Sequence, residues 1–269
     1  MKDNPVLRRI TIYPVKALDG MSLEKAQISE GGCILHDREF AMSDSNGNFI
    51  NGKSNPRVHT LRSKVDFEKG KLSLRDQADN SWNHFQIEDE KTRIQEFLSD
   101  YFSMPVILLQ NKTGRFLDSP DRGGVTVLST SSLHSVSGWF PGLSLAETRT
   151  RFRATFEIDG VEPFWEDRLF SSTPGTMVAF KIGDVTIHGT SPCARCVVPS
   201  RNPETSTTIQ GFQKTFSEQR SSSLSARTAL GEYGHFYFMS VNCLIPPTEV
   251  GKWINTGDTL SVVEQTFFP

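Results

Sequence analysis

Short apolar segments, rich in β-branched and aromatic residues, recur along the chain between stretches that contain Gly, Pro, Asn or Asp. Segments of this length with frequent turn signals predict β-strands in a barrel or a sandwich. Two hairpins are predicted, one at Gly183-Asp184 and one at Phe67–Lys71. The predicted strands are Leu7–Val15, Glu39–Ser43, Leu61–Phe67, Lys71–Arg75, Pro105–Leu109, Val125–Leu128, Arg153–Ile158, Val178–Ile182, Val185–His188, Phe236–Cys243 and Thr259–Glu264.

Helical patterns are fewer than strand patterns. Thr92–Phe102 carries apolar residues at helical spacing, which predicts an amphipathic helix. A second helix is predicted to start in Ser129–Ser132, whose hydroxyls are good N-caps, and to run to about Trp139. The polar and Ser-rich segment 209–231 predicts a weak helix followed by a loop.

The length of 269 residues fits one large domain or two modest ones, at roughly 150 residues per domain. The clearest seam is the segment 111–124, which holds Gly114, Pro120, Gly123 and Gly124 and follows the predicted helix and strand. A boundary in this seam predicts two β-rich halves, 1–118 and 119–269.

Charge and hydropathy exclude several classes of protein. The 29 Lys and Arg residues nearly cancel the 31 Asp and Glu residues, which argues against a general nucleic-acid or anionic-membrane binder. No apolar run approaches the ~18 residues of a membrane span. Residues 1–10 lack the apolar stretch of a secretory signal. We therefore expect a soluble, cytoplasmic protein in a reducing compartment.

The four cysteines are too few for a disulfide scaffold, but two of them form Cys193-Ala194-Arg195-Cys196. Such a pair can chelate zinc, form a redox disulfide or supply one reactive thiolate. A zinc ribbon needs a second ligand pair, and haem attachment needs a histidine where Val197 stands. A thiolate beside Arg195 suits a soft metal. A structural role for the pair is equally open.

Basic residues recur within distinctive local patterns: Tyr13-Pro14-Val15-Lys16, Asp37-Arg38-Glu39-Phe40 and Arg151-Phe152-Arg153. If these cations converge, they suit a phosphate, because Arg donates paired hydrogen bonds to oxyanions and Lys adds a point charge. The hydroxyl run Ser129-Thr130-Ser131-Ser132 opens a predicted helix, whose N-terminus would also attract an anion. Alternatively, each Arg is a surface ion-pair residue and the hydroxyl run is only a cap.

Paired acids occur in Pro163-Phe164-Trp165-Glu166-Asp167. Glu166 and Asp167 beside aromatic rings would hold a pterin or manage protons. The sequence alone favours the simpler alternative, a turn whose acids pair with Arg151 or Arg153.

Taken together, and in this order along the chain, these motifs resemble the MOSC family, named after the C-terminal domain of molybdenum cofactor sulfurases. The resemblance implies a mainly β fold with a few helices (α+β): an N-terminal β-barrel-like domain over 1–118 and a MOSC β-barrel domain over 119–269. Ile254–Val263, with Gly257-Asp258, resembles the closing strand of the MOSC domain.

The two-domain arrangement is similar to the mitochondrial amidoxime-reducing components and their bacterial relatives. The resemblance implies a molybdenum cofactor (Mo-molybdopterin) between the domains, with molybdenum bound by Cys196 and protons handled by Asp167 or Glu166. Such proteins reduce small N-hydroxylated or N-oxygenated substrates with electrons from a separate iron–sulfur, haem or flavin protein. By motif position, the implied cofactor contacts are Lys16, Arg38, Ser129, Thr130, Ser131, Arg151, Arg153 and Thr155.

Three departures from the family pattern leave the activity open. Thr155 stands where the family often has Asn, Ala17 replaces a Ser, and the segment Asn202–Ser206 replaces an Asp-Pro-x-Thr-Gly motif. One alternative is a non-catalytic carrier of the cofactor, or of persulfide sulfur on Cys196. Another is a thiol redox protein that uses Cys193 and Cys196.

Overall fold

The structure, a computed structural model, describes residues 5–267 except 114, 119–122, 174 and 225–233. The described part is mainly β with four α-helices, which confirms the predicted fold class. The helices are α1 Lys91–Phe102, α2 Thr130–Gly138, α3 Leu145–Phe152 and α4 Phe212–Ser222. The strands are β1 Val6–Ile12, β2 Met21–Leu23, β3 Lys25–Gln27, β4 Phe40–Ser43, β5 Leu61–Asp66, β6 Lys71–Asp76, β7 Asn83–Gln86, β8 Ile107–Gln110, β9 Val125–Ser129, β10 Phe156–Asp159, β11 Thr176–Ile182, β12 Val185–Ala194, β13 Phe238–Leu244, β14 Trp253–Asn255 and β15 Leu260–Phe267.

An eight-stranded sheet with the order β15-β11-β12-β13-β9-β10-β1-β2 dominates the fold. Its neighbouring strands are antiparallel except β9 and β10, which run parallel. The backbone of Leu7 in β1 also hydrogen-bonds to Asp258 at 2.8 Å, so residues beside the last strand approach the first. One side of this sheet buries a large core of Ile, Val, Leu and Phe side chains. The predicted hairpin at Gly183-Asp184 is confirmed, since Ile182 pairs with Val185.

The N-terminal part of the chain forms two smaller sheets, β5-β6-β7 and β4-β8, and α1 packs on them. Helix α1 forms where the apolar spacing predicted it, with Ile94, Leu98, Tyr101 and Phe102 buried in a second core. The hairpin predicted at Phe67–Lys71 is also present. The late strand β14 pairs with β3 and so ties the end of the chain to its beginning.

A third core, rich in aromatic rings, lies under α2, α3 and α4. The Ser129 hydroxyl caps α2 by accepting from the backbone N–H of Ser132 at 3.1 Å. Helix α4 contributes Phe212 and Phe216 to this core. The predicted helix in 209–231 is therefore confirmed, while the predicted loop falls largely outside the described residues.

The sequence analysis missed α3 and predicted too long a strand after it. Only Thr148, Arg151 and Phe152 of α3 are buried, so its apolar stripe is too thin to show in the sequence. The helix ends at Arg153, whose φ of 51° is left-handed, and β10 begins only at Phe156. The prediction of one closing strand over Ile254–Val263 was also wrong. Gly257, with a φ of 95°, separates β14 from β15.

Across the described ranges, no helix has the length and apolar character needed to cross a membrane.

Candidate functional site

A cavity of about 250 Å³ lies where residues from the N-terminal part of the chain face residues from the C-terminal part. Its described lining is strongly basic, with eight Lys or Arg residues against two Asp residues. Those basic residues are Lys16, Arg38, Lys53, Arg62, Arg151, Arg153, Arg195 and Arg201.

Two sequence motifs meet at this cavity because their backbones hydrogen-bond to each other. The Lys16 N–H donates to the Phe40 carbonyl at 2.7 Å, and the Arg38 N–H donates to the Tyr13 carbonyl at 2.9 Å. The Asp37 carboxylate, which is fully buried, accepts from the Tyr13 N–H at 2.7 Å. This pairing places the side chains of Lys16 and Arg38 on one wall of the cavity.

Two guanidinium groups flank the ring of Tyr13. The Cζ atom of Arg153 lies 3.9 Å from the ring centroid and that of Arg38 lies 5.1 Å from it. Such contacts stabilise a cation over an aromatic face. Arg38 is neutralised by an ion pair with Asp37. The guanidinium group of Arg153 donates no hydrogen bond to any described residue, although its backbone N–H donates to the Arg149 carbonyl at 3.1 Å. Burial together with the nearby Arg38 charge lowers the pKa of Arg153.

Three residues of the cavity lining have a left-handed backbone conformation. Ala17, Arg38 and Arg153 all have left-handed φ values, of 73°, 53° and 51°, and all three line the cavity. A non-glycine residue in a sparsely populated conformation costs on the order of 1–3 kcal/mol and persists where the surrounding structure imposes it. The surrounding fold therefore holds the backbone of Arg38 and Arg153, the two cations among them, in a costly conformation.

The two cysteines of the C-x-x-C motif also line the cavity, at the end of β12 and in the turn after it. Both are free thiols in the structure. The Cys193 sulfur accepts from Nη1 of Arg195 at 3.3 Å, while Nη2 of Arg195 donates to the Phe152 carbonyl at 2.8 Å. The sulfur of Cys196 has no hydrogen-bond partner among the described residues. Cys196 is therefore the thiol that remains available to a ligand.

Two arginines connect the walls of the cavity. Nη2 of Arg62 donates to the carbonyls of His59 at 2.6 Å and Pro203 at 3.0 Å. Arg201 donates to the carbonyl of Gly52. The bonds to Pro203 and Gly52 join the N-terminal and C-terminal parts of the chain and so hold the two walls together.

Six residues predicted from the sequence line the cavity, but two of them have their polar atoms engaged elsewhere. Arg151 is buried, donates to Glu147 at 2.6 Å and to the Pro199 carbonyl at 2.8 Å, and has no charge to spare. The Thr155 hydroxyl accepts from the Thr126 N–H at 3.3 Å. The six are Lys16, Arg38, Arg151, Arg153, Thr155 and Cys196.

The structure does not bring the predicted hydroxyl run to the described lining of the cavity. Ser129 is fully buried as the cap of α2, and Ser131 lies 3.0 Å from its hydroxyl. Thr130 donates to Glu157 at 3.0 Å. The predicted cofactor contacts of Ser129, Thr130 and Ser131 therefore find no support in the described lining: Ser129 and Ser131 bond to each other at the start of α2, and Thr130 ties α2 to β10.

Glu166 and Asp167 also lie outside the described cavity lining, within a 3₁₀ helix over Trp165–Leu169. Glu166 accepts from the Ser132 hydroxyl at 3.0 Å, and Asp167 forms a buried ion pair with Arg220 of α4. The described cavity lining therefore gives no support to the predicted delivery of protons by Glu166 or Asp167. The alternative pairing with Arg151 or Arg153 is wrong as well, since Arg220 takes that place.

Glu166→Gln is expected to leave any activity in the cavity unchanged and to make stability less dependent on pH. Burial, and then the Asp167 charge, raise the pKa of Glu166. A raised carboxyl pKa gives stability that is present below the unfolded value and lost as pH rises through the folded value. The glutamine variant lacks that loss, so at pH 7 its free energy of unfolding should lie within about 1 kcal/mol of wild type or above it. Urea unfolding at pH 5 and pH 8 measures the difference.

Reduced turnover in Glu166→Gln at unchanged cofactor content would instead restore a catalytic role for this carboxyl.

Several lining residues carry no motif and were missed. Asp118, His59, Arg62 and Arg201 belong to segments whose local pattern is unremarkable, and only the tertiary fold brings them to the cavity. The Asp118 carboxylate lies 2.6 Å from Nζ of Lys16 although the residues are far apart in sequence. The local sequence around these two residues does not predict that contact.

Comparison with known proteins gives two matches to family models. The model described as the MOSC N-terminal beta barrel domain matches residues 4–107, and the model described as the MOSC domain matches residues 117–260. Residues 108–116 separate the two matches, and the second match begins next to the predicted boundary at 118/119, which stays a prediction.

Curated relatives include proteins named molybdenum cofactor sulfurase. The rice protein is 20% identical over 71% of this chain and 27% of its own length. The tomato protein is 20% identical over 94% of this chain and 35% of its own length. The chain thus spans about a third of these relatives. Among solved structures, the YuaD protein of Bacillus subtilis matches 99% of the chain with a TM-score of 0.40 and 11% identity.

Proposed function

The chain belongs to the MOSC family, and from that membership we propose that its basic cavity binds a molybdenum cofactor through a terminal phosphate and the Cys196 thiolate. The proposed activity is reduction of small N-hydroxylated or N-oxygenated substrates. The observation that carries the proposal is one cavity lined by the Cys196 thiol and the Arg153 guanidinium group, neither of which has a hydrogen-bond partner among the described residues.

The residues at the cavity fit the phosphate of such a cofactor. Arg153 has its hydrogen-bonding capacity free, and Lys16 and Arg38 add positive charge on the same wall. A guanidinium group offers a planar set of donors that matches a phosphate, and an ammonium adds a point charge. The stacking of Arg153 and Arg38 on Tyr13 keeps both guanidinium planes in place before a ligand arrives.

The thiols fit a soft metal. Sulfur ligands favour soft metals over the hard cations that prefer oxygen. Cys196 offers its sulfur to the cavity, whereas Cys193 is engaged by Arg195.

When bound, a molybdenum cofactor supplies two-electron oxygen-transfer chemistry. In the overall reaction the N–O bond of the substrate breaks, its oxygen leaves as water, and two protons and two electrons are consumed. We propose a separate iron–sulfur, haem or flavin protein as the electron donor. This chain's own residues orient the phosphate, hold the ligand sulfur and, through Arg62 and Arg201, keep the cavity walls together.

The test is purification from a host that makes the cofactor, with molybdenum, pterin and phosphate measured per chain. The expected result is all three in equal amounts, together with reduction of an amidoxime by a chemical electron donor. Background molybdenum in wild-type protein from such a host contradicts the proposal.

Arg153→Gln is expected to lower the cofactor content at limiting cofactor by about tenfold or more, because hydrogen bonds to charged groups contribute about 1.5–3 kcal/mol each. The matched control is Arg57→Gln. Arg57 also stacks on a tyrosine, with its Cζ 4.6 Å from the Tyr101 ring, but it lies outside the cavity lining. Equal cofactor loss in both variants would show that stacking supports the fold rather than the ligand.

A second function is favoured by the names of the relatives. The relatives called molybdenum cofactor sulfurase are about three times as long as this chain. In a protein of that length the catalytic residues can lie outside the part that resembles this chain, and that part can serve only to hold the cofactor or its sulfur. The alternative is therefore a non-catalytic carrier of the cofactor or of a persulfide. Cofactor-loaded protein that accepts electrons but reduces no N-hydroxylated substrate would support the carrier.

A further inference from the structure

A carboxylate stands among the cations of the cavity. Oδ1 of Asp118 lies 2.6 Å from Nζ of Lys16. Lys16 also donates to the Phe116 carbonyl at 2.9 Å, so its ammonium is held in place by the same short segment that carries Asp118. The Lys16 side chain is 8% exposed, whereas that of Asp118 is 69% exposed.

The Asp118 carboxylate experiences the same positive charges that an anion bound in this cavity would experience. Partial burial raises its pKa, but the charges of Lys16, Arg38 and Arg153 outweigh burial and lower the pKa to about 2. Arg38 already has a counter-charge in Asp37. Asp118 therefore interacts with the same three cations that we propose for the phosphate.

The exposure of Asp118 distinguishes it from the buried carboxylates nearby. Asp37 has no exposed surface and is bonded to the backbone of Tyr13, so it cannot leave without breaking the fold. Asp118 makes its ion pair from the solvent side, and a side-chain rotation suffices to withdraw it. Its contact with Lys16 is exchangeable.

We propose that Asp118 is an internal competitor for the anion seat formed by Lys16, Arg38 and Arg153, and that it sets the minimum charge of the phosphate group which binds there. A monoanion that displaces the carboxylate exchanges one negative charge for one and gains no net attraction. A dianion brings one further negative charge to the three cations. The seat therefore selects a phosphate monoester, which carries up to two negative charges at pH 7, over a phosphodiester, which carries one.

This inference rests on the proposed function only in taking a phosphate as the ligand, and it is tested on the metal-free chain. The probes are inorganic phosphate and dimethyl phosphate, a diester, with binding measured by calorimetry at pH 7.5 and low salt. Asp118→Asn is expected to bind phosphate about tenfold more tightly than wild type, as the loss of one nearby charge implies. Dimethyl phosphate should bind the variant measurably and the wild type far more weakly.

Asp66→Asn is the matched control. Asp66 is also an exposed carboxylate paired with a lysine, 3.0 Å from Nζ of Lys69, but neither residue lines the cavity. Its variant should bind phosphate like the wild type. Asp118→Ser, which also removes the charge, should behave as Asp118→Asn does.

Unchanged or weaker phosphate binding in Asp118→Asn would overturn the inference, since Asp118 would then be a partner that positions Lys16. Equal gains in Asp118→Asn and Asp66→Asn would overturn it too, because they would reflect net charge alone. Neither result depends on molybdenum. Protein that passes this test but never acquires molybdenum would contradict the proposed function and leave the seat intact.

Discussion

Cys196→Ser is expected to leave the protein without molybdenum. The rate of amidoxime reduction should fall more than about a hundredfold, because replacing even a residue that only hydrogen-bonds to a metal ligand costs about 10–100-fold. Serine keeps the size of the side chain but replaces a soft sulfur with a hydroxyl, which a soft metal binds poorly. The Cys196 sulfur has no hydrogen-bond partner among the described residues, so the substitution breaks no bond of the fold. The loss should therefore appear in metal content and not in stability.

Cys193→Ser is the matched control for that experiment. Cys193 lies three residues away, lines the same cavity and accepts from Arg195 at 3.3 Å. A serine hydroxyl can accept the same hydrogen bond, so molybdenum content should stay near that of the wild type. Metal analysis and activity are measured on both variants after identical expression. Full molybdenum in Cys196→Ser, or loss in Cys193→Ser alone, contradicts the ligand assignment.

The two thiol variants also separate the rival interpretations of the motif. A redox pair requires both sulfurs, so either substitution would abolish a thiol–disulfide function equally. Metal binding by a single cysteine requires only one of the two sulfurs. The structure favours the second case because Arg195 engages Cys193 and leaves Cys196 available.

The sequence predicted those elements that depend mainly on residues close to one another in the chain. The hairpin at Gly183-Asp184 and helix α1 follow from turn residues and apolar spacing within a dozen positions. Helix α3 was missed because its burial depends on Phe152 and Arg151 meeting neighbours that are distant in sequence. The apolar pattern placed a strand at Thr259–Glu264, close to β15, whereas the closing strand implied by the family resemblance over Ile254–Val263 ran through the break at Gly257.

The candidate site shows the same division. Lys16, Arg38, Arg153 and Cys196 belong to motifs and were found from the sequence, although convergence could only be hypothesised. Asp118 and the two bridging arginines carry no local pattern, since their role arises when distant backbone carbonyls and side chains approach. The family resemblance assigned the hydroxyl run to the cofactor, while the residues alone left a helix cap equally open, because a cap and an anion site use the same residue types. Sequence cannot distinguish them.

Asp167→Asn is expected to cost about 3–5 kcal/mol of stability, the usual loss when one partner of a buried ion pair is removed. The Arg220 and Asp167 side chains are only 1% and 7% exposed. The Arg220 guanidinium lies 4.1 Å from the Phe164 ring centroid and 4.6 Å from that of Phe238. An asparagine leaves this charge among aromatic rings without a carboxylate. Urea unfolding should show a lower midpoint with an unchanged slope.

Two further variants identify the cause of that loss. Glu218→Gln removes a charge from an exposed pair on the same helix, 3.9 Å from Lys214, and should change stability by less than about 0.5 kcal/mol. The double variant Asp167→Leu with Arg220→Met replaces the pair with apolar groups and should recover most of the stability. If Asp167→Asn instead unfolds like the wild type and keeps its molybdenum but no longer reduces substrate, Asp167 acts in the chemistry and its pairing with Arg220 is incidental. A destabilised Asp167→Asn that retains its turnover per molybdenum assigns the residue to the fold, as a clamp between the 3₁₀ helix and α4.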